Sequence, residues 1–265
     1  MWSSLNGTIV NTATVLAGSL IGLAFAARIP ERYRLIVLQS LGLVTLGLGI
    51  DAAVLEFANT VRKYAPLVAN GDTYGARLAM VMIGSLLVGA ILGTALRIED
   101  RIESLGAWVH RRFATGDGHA FAKGFLTASI LFCVGPLTLV GCLRNGANHD
   151  PSYLYVKATL DGFSSIALAS TLGAGVLGSL IAVIVIQGSI SLAAASLTTF
   201  LEGLPLSIMT IVGGFVLLAT ALSLLDIKKI AVANMLPGIV LAPISVHLLE
   251  MIQPGLLLPH AVGGS

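Results

Sequence analysis

The sequence predicts an all-α fold of the membrane class, a polytopic bundle of about eight transmembrane helices. Three observations predict it. Apolar residues come in blocks of roughly 20, the length a helix needs to cross a ~30 Å hydrocarbon core at 1.5 Å per residue. Of 265 residues, 56% are hydrophobic and only 11% charged, against roughly a quarter charged in soluble domains. The mean hydropathy is +0.93, and the charges gather in the short stretches between the blocks. Nearly all of the chain is used in spans and tight connections. It therefore reads as a single integral membrane domain over 1–265, with no room for a separate soluble domain of ordinary size.

The first block covers 7–27. Ala24-Phe25-Ala26 resembles a signal-peptide cleavage site, but the first basic residue, Arg28, follows the block instead of preceding it. A secretory signal has a positive segment in front, so the expectation is an uncleaved first helix with its N-terminus outside. The next blocks are 35–57, which holds Asp51, and 77–96. Over 97–113, Ile98, Ile102, Leu105, Val109 and Phe113 recur at three- or four-residue spacing among Arg97, Asp100, Arg101, Glu103, Arg111 and Arg112. That pattern predicts an amphipathic helix in the interface, with Trp108 near headgroup level.

The fourth block, 122–143, contains Cys133-Val134-Gly135-Pro136, where proline lacks the N–H that a continuous helix needs. Cys133 and Cys142, the only cysteines, stand nine apart and on opposite faces of an intact helix. Blocks at 153–172 and 175–199 adjoin, and Gly173, Gly175 and Gly178 mark either a tight connection or a broken helix. The second choice leaves seven spans. Blocks at 206–225 and 231–252 complete the count, the last opening on Asn234-Met235-Leu236-Pro237-Gly238. With eight spans one side receives ten Lys or Arg and the other five. By the positive-inside rule both termini then lie outside the cytoplasm.

An internal repeat supplies the mechanistic clue. Val15-Leu16-Ala17-Gly18-Ser19-Leu20 is similar to Val185-Ile186-Gln187-Gly188-Ser189-Ile190. Residues 41–50 can be laid on 213–222, and Met82 through Gly89 on Met235 through Ala242. Spans one to three thus match spans six to eight, in units of about 7–96 and 175–252. An odd number of spans separates the two starts, so the units face opposite ways, as the inverted repeats of many transporters do.

Polar residues inside apolar blocks are the site candidates. Asp51 and Asp161 are acids within spans, where a central charge costs ~2.5–3.5 kcal/mol. Asp161, Ser164 and Ser165 share one helical face, suited to a small cation or a proton relay, although Lys157 one turn away offers Asp161 a purely structural partner. Asn11 and Gln187 are uncharged candidates. Cys133 with Pro136, and Asn234 with Pro237, mark helix breaks whose freed carbonyls can line a path. Small residues at four-residue spacing, Gly18 with Gly22 and Ser85 with Gly89 and Gly93, predict close helix packing.

No phosphate-binding glycine loop, His-Glu-x-x-His or Gly-x-Ser-x-Gly occurs. Gly47-Leu48-Gly49-Ile50-Asp51 differs from the intramembrane aspartyl protease motif by an extra residue before the acid. No catalytic residue and no cofactor is expected. No basic cluster interleaved with aromatics points to nucleic acid. The expected partners are the lipid bilayer and a small solute or cation, with metal binding and oligomeric state left open.

Five stretches carry a resemblance to a known family. They are Ala27 to Arg32, Leu131 to Gly141, Asp150 to Lys157, Leu160-Asp161-Gly162 and Val232 to Pro237. In these the chain resembles the YqgA/YdfK-like family of bacterial multipass membrane proteins, a domain of unknown function. The resemblance implies the bacterial cytoplasmic (inner) membrane and assigns no substrate. The function expected from the residues is a transporter or channel-like protein for a small solute or ion. The alternative is a non-transporting scaffold or regulatory partner subunit.

Overall fold

The fold is that of a computed structural model, which describes residues 2–26, 30–68, 70–102, 104, 118–133 and 136–258. Among the described residues every regular element is helical. In chain order these are α1 (Trp2–Ala26), α2 (Glu31–Ile50), α3 (Glu56–Tyr64), α4 (Tyr74–Ala95), α5 (Gly118–Cys133), α6 (Pro136–Asn148), α7 (Ser152–Leu172), α8 (Gly175–Leu201), α9 (Leu204–Leu224) and α10 (Leu236–Ile252). A π-helical turn, Asp51–Leu55, joins α2 to α3 without ending the helix, and a 3-10 turn, Val232–Met235, leads into α10. Among the described residues six segments are long and apolar enough to cross a membrane: Ser3–Ala26, Gln39–Leu67, Gly71–Ala95, Gly175–Ala194, Leu204–Leu224 and Val232–Ile252. The protein is therefore an all-α polytopic membrane bundle.

Two expectations are refined. The block at 122–143 divides into α5 and α6 around Pro136, with 134 and 135 outside the described residues. The stretch from 153 to 200 is two helices joined by a tight turn, not one broken helix. Gly173 takes φ +78°, a conformation open to glycine, and its N–H caps α7 on the Ala169 carbonyl. Gly203, at φ +75°, makes the same kind of turn into α9. Of the interfacial helix expected at 97–113, residues 98–102 are helical and most of the remainder lies outside the described residues. At the start of α7, hydrogen bonds from Ser152 hold the exposed Asp150 carboxyl below the usual carboxylate range.

Helix α9 is the hub, with Leu204, Ile208, Ile211, Val212 and Val216 buried against α2, α4 and α10. A second apolar cluster joins Val15 of α1 to Phe132, Leu168, Val176 and Val183. The short connections force neighbouring helices to run antiparallel. As a result the Ser4 end of α1, the 145–154 turn and the C-terminal end of α10 share one face. The 96–99 and 225–231 turns lie on the other.

Backbone contact at glycine sets the closest pairs. A Cβ at Gly18 would collide with the Gly162 carbonyl and Ser165 Oγ of α7, and one at Gly22 with the Ile166 carbonyl. Gly89 and Gly93 of α4 meet Gly238 and Asn234 in the same way. Gly47 has nothing within 4 Å of a Cβ position. Gly18→Ala should therefore lower stability by roughly 1–3 kcal/mol through overpacking, while Gly47→Ala leaves it unchanged or slightly raised. Thermal unfolding in detergent checks the pair, and equal midpoints would contradict the glycine contact.

Candidate functional site

Helix α7 carries two charges in an apolar setting. Asp161 lies one residue before the midpoint of its 21 residues, roughly 14 Å along the axis from Ser152 at 1.5 Å per residue. Lys157 stands one turn before it, so the two side chains share a face. Both are buried, at 5% and 6% exposure. Lys157 Nζ reaches Asp161 Oδ2 at 2.7 Å and Oδ1 at 3.0 Å. A buried charge without a partner costs several kcal/mol, so each makes the other tolerable.

The pair is tied to four further helices. Asn11 of α1 donates from Nδ2 to Asp161 Oδ2 at 3.0 Å and to Gln187 Oε1 of α8 at 3.2 Å. Gln187 donates from Nε2 to the Phe132 carbonyl at 3.4 Å, and Thr138 Oγ1 of α6 donates to the same carbonyl at 3.2 Å. Phe132 belongs to the last turn of α5, where the helix breaks. Its carbonyl is served by side chains because the helix does not continue to serve it.

Hydrogen-bond chemistry fixes the direction of this chain. A backbone carbonyl only accepts, so Gln187 must turn its nitrogen to Phe132 and its oxygen to Asn11. Carboxylate and amide oxygen then both demand the Asn11 nitrogen. Asn11 Oδ1 is left buried with no protein donor.

The sequence candidates divide by location. Asn11, Asp161 and Gln187 are bonded together. Cys133 is buried on the final turn of α5 beside Phe132, and Pro136 opens α6 across the break. Ser165 is buried but bonds its own helix, donating to the Gly162 carbonyl at 2.7 Å, and Ser164 is half-buried. Asp51 lies apart, exposed on the π turn between α2 and α3.

Asn234 belongs to a separate clamp with Glu99, and Pro237 stands in the first turn of α10. Asn234 Oδ1 accepts from the Glu99 N–H at 2.9 Å, and the Glu99 carboxylate accepts from the Ala233 N–H at 2.8 Å. Both cysteines are free and buried. Among the described residues no cluster of His, Cys, Asp or Glu suited to a metal ion occurs.

Sequence reasoning missed the contributions of Phe132 and Thr138, and it treated Lys157 only as a rival explanation for Asp161. It also missed two spaces. An apolar cavity of about 370 Å³ lies among α5, α6, α8, α9 and α10, with Cys133, Leu139 and Ile186 on its wall. Leu126 and Ile130 separate it from a vestibule of about 500 Å³ bearing Glu99, Lys123, Asp226 and Lys229. The vestibule belongs to the face of the 96–99 and 225–231 turns. The i,i+4 spacing of Lys157 and Asp161 was the one available signal for the pair.

The model of the family described as "Protein of unknown function (DUF554)" matches residues 6–247. The chain is 32% identical over 244 residues to "Uncharacterized membrane protein YdfK" of Bacillus subtilis (strain 168), covering 92% of this chain and 96% of that one. It is 30% identical over 240 residues to "Uncharacterized protein YqgA" of Escherichia coli (strain K12), covering 89% and 94%. No solved structure matches. The chain belongs to the DUF554 family.

Removing one partner of a buried pair leaves a bare charge, which typically costs ~3–5 kcal/mol. Lys157→Met should therefore destabilise strongly, and Lys157→Met with Asp161→Leu should cost less than the sum of the single changes. A double-mutant cycle by unfolding in detergent measures this, and additive effects would show that the pair is not coupled.

Proposed function

We propose that this DUF554 protein is a transporter or channel-like protein for a small solute or ion, with the Lys157–Asp161 pair as its ion-responsive site and no catalytic role. The observation that carries the reading is the half-height position of a buried acid and base, joined through Asn11 and Gln187 to the carbonyl of an interrupted helix. Ionisable groups inside a membrane bundle are expensive, and an apolar pair of similar size would hold the helices together at least as well. An interrupted helix beside such groups matches the way transporters build midplane sites.

The arrangement of helices supports the same reading. Under the eight-span topology, α5 with α6 makes one crossing and α7 another. The proposed repeat then pairs α1 with α8, α2 with α9 and α4 with α10, and each of these pairs packs together. Gly42 lies against Leu225 while Gly49 lies against Leu218, so α2 and α9 run antiparallel. Ser85 and Gly238, which the repeat alignment equates, touch each other. An inverted repeat with its axis in the membrane plane predicts such contacts.

The scaffold reading draws on one specific observation, that Lys157 and Asn11 already satisfy Asp161. Flux decides between the two. In proteoliposomes screened with small solutes and ion gradients, the wild type should show a flux that Asp161→Asn lowers at least ~10-fold while still folding, the scale of a lost charge-assisted contact. Equal flux in the two, or none in either, would favour the scaffold.

The proposed orientation, with both termini outside the cytoplasm, has its own check. Asp72→Cys should label from outside intact cells and Lys228→Cys should not, and the reverse pattern would overturn the orientation.

A further inference from the structure

Helices α1, α6 and α8 pack on one another, and each turns a polar stripe toward the junction. Helix α1 supplies Ser4, Thr8 and Asn11 at i, i+4 and i+7, and α6 supplies Thr138, Cys142 and Asn145 at the same spacing. Helix α8 supplies Gln187 and Ser191, one turn apart. All except Ser4 are buried, and Asn11, Asn145 and Gln187 are fully so. The stripe begins at the Lys157–Asp161 pair. It ends at the face of the 145–154 turn, where Ser4 Oγ and His149 Nδ1 are 3.4 Å apart in exposed positions.

Oxygen atoms along this stripe lack protein donors. Thr8 Oγ1, Asn11 Oδ1, Asn145 Oδ1 and Ser191 Oγ are all buried without a hydrogen-bond partner, apart from the Cys142 thiol beside Ser191. The Asn145 nitrogen is committed to the Ser4 carbonyl, so that amide turns its oxygen inward, as Asn11 does. Buried polar atoms are nearly always paired; Thr8, Asn11 and Asn145 leave three orphans along this one junction, while the others, on Ser19, Tyr74 and Ser129, are spread over three helices. The cavity beside Cys133 differs from this stripe: its surface is almost wholly carbon, and its vestibule opens to the opposite face.

We propose that the junction of α1, α6 and α8 is an aqueous route by which a small hydrated cation reaches Asp161 from the face bearing Ser4 and His149. The proposal rests on the reading of Asp161 as an ion-responsive site and assigns that site an access. Amide and hydroxyl oxygens replace the water around a small cation, and the only carboxylate on the route is Asp161 itself. Lys157 is the competing cation at its inner end. The thiols of Cys133 and Cys142 and the imidazole of His149 are the other titratable groups along it. An anion meets the inward-turned oxygens of Asn145 and Asn11 before it could reach Lys157, which disfavours its entry.

Silver ion, small and thiol-reactive, is the probe. It is applied to the Ser4 face of the reconstituted full chain, and each cysteine is quantified by peptide mass. Thr8→Cys, and the native Cys142 in the unmutated chain, should react about a hundredfold faster than Val15→Cys, which is buried on the same helix in the apolar cluster. Should Thr8→Cys fail to fold, Cys142 alone decides. Rates at Cys142 and Thr8→Cys within about threefold of Val15→Cys overturn the route. Silent thiols together with an Asp161-dependent flux overturn the route and leave the ion-site reading standing. Reactive thiols with a flux indifferent to Asp161→Asn overturn the ion-site reading, and the proposal with it.

Discussion

A charge inside an apolar bundle must be answered by another group, and much of this structure follows from how Asp161 is answered. Lys157 neutralises it from the same helix, but a carboxylate has more acceptor sites than one ammonium fills. Asn11 supplies a further donor, and it can do so only because α1 lies directly on α7. That closeness depends on Gly18 and Gly22, where any side chain would meet the α7 backbone. The acid on one helix thus sets the need for glycine on another.

The same demand reaches the interrupted helix. Gln187 turns its oxygen to Asn11 and its nitrogen to the Phe132 carbonyl, a group left free where α5 ends before Pro136. The break and the ion pair are two ends of one hydrogen-bonded chain, the contiguous network that a coupling between them needs. Such coupling is what the proposed transport function requires, since an ion acts on a protein only through states it binds unequally.

The sequence disclosed these features unevenly, for physical reasons. The membrane class was legible because the hydrocarbon core imposes a length on each apolar block, though eight blocks were expected to span and six described segments meet that length. Gly173 and Pro136 marked breaks through backbone chemistry that needs no tertiary context. Asn11, Asp161 and Gln187 stood out singly as polar residues in apolar blocks. Their meeting did not, because it joins residues 150 and 176 positions apart. Asp51 looked equivalent to Asp161 in sequence. In an almost uniformly apolar helix no periodicity tells the inner face from the outer, and Asp51 proved to be exposed on the π turn. The vestibule was hidden for a similar reason, since Glu99 follows α4, Lys123 stands in α5, and Asp226 and Lys229 share the turn after α9, and only the packing assembles them.

The central claim is that the Lys157–Asp161 pair responds to an ion and is not merely a brace. Charge displacement in protein adsorbed to a solid-supported membrane tests it most directly, because a jump in ion concentration then reads binding without a known substrate. The account predicts a transient current in the wild type that is absent from folded Asp161→Asn protein. An identical current in both, or no current for any cation or pH jump, would contradict it.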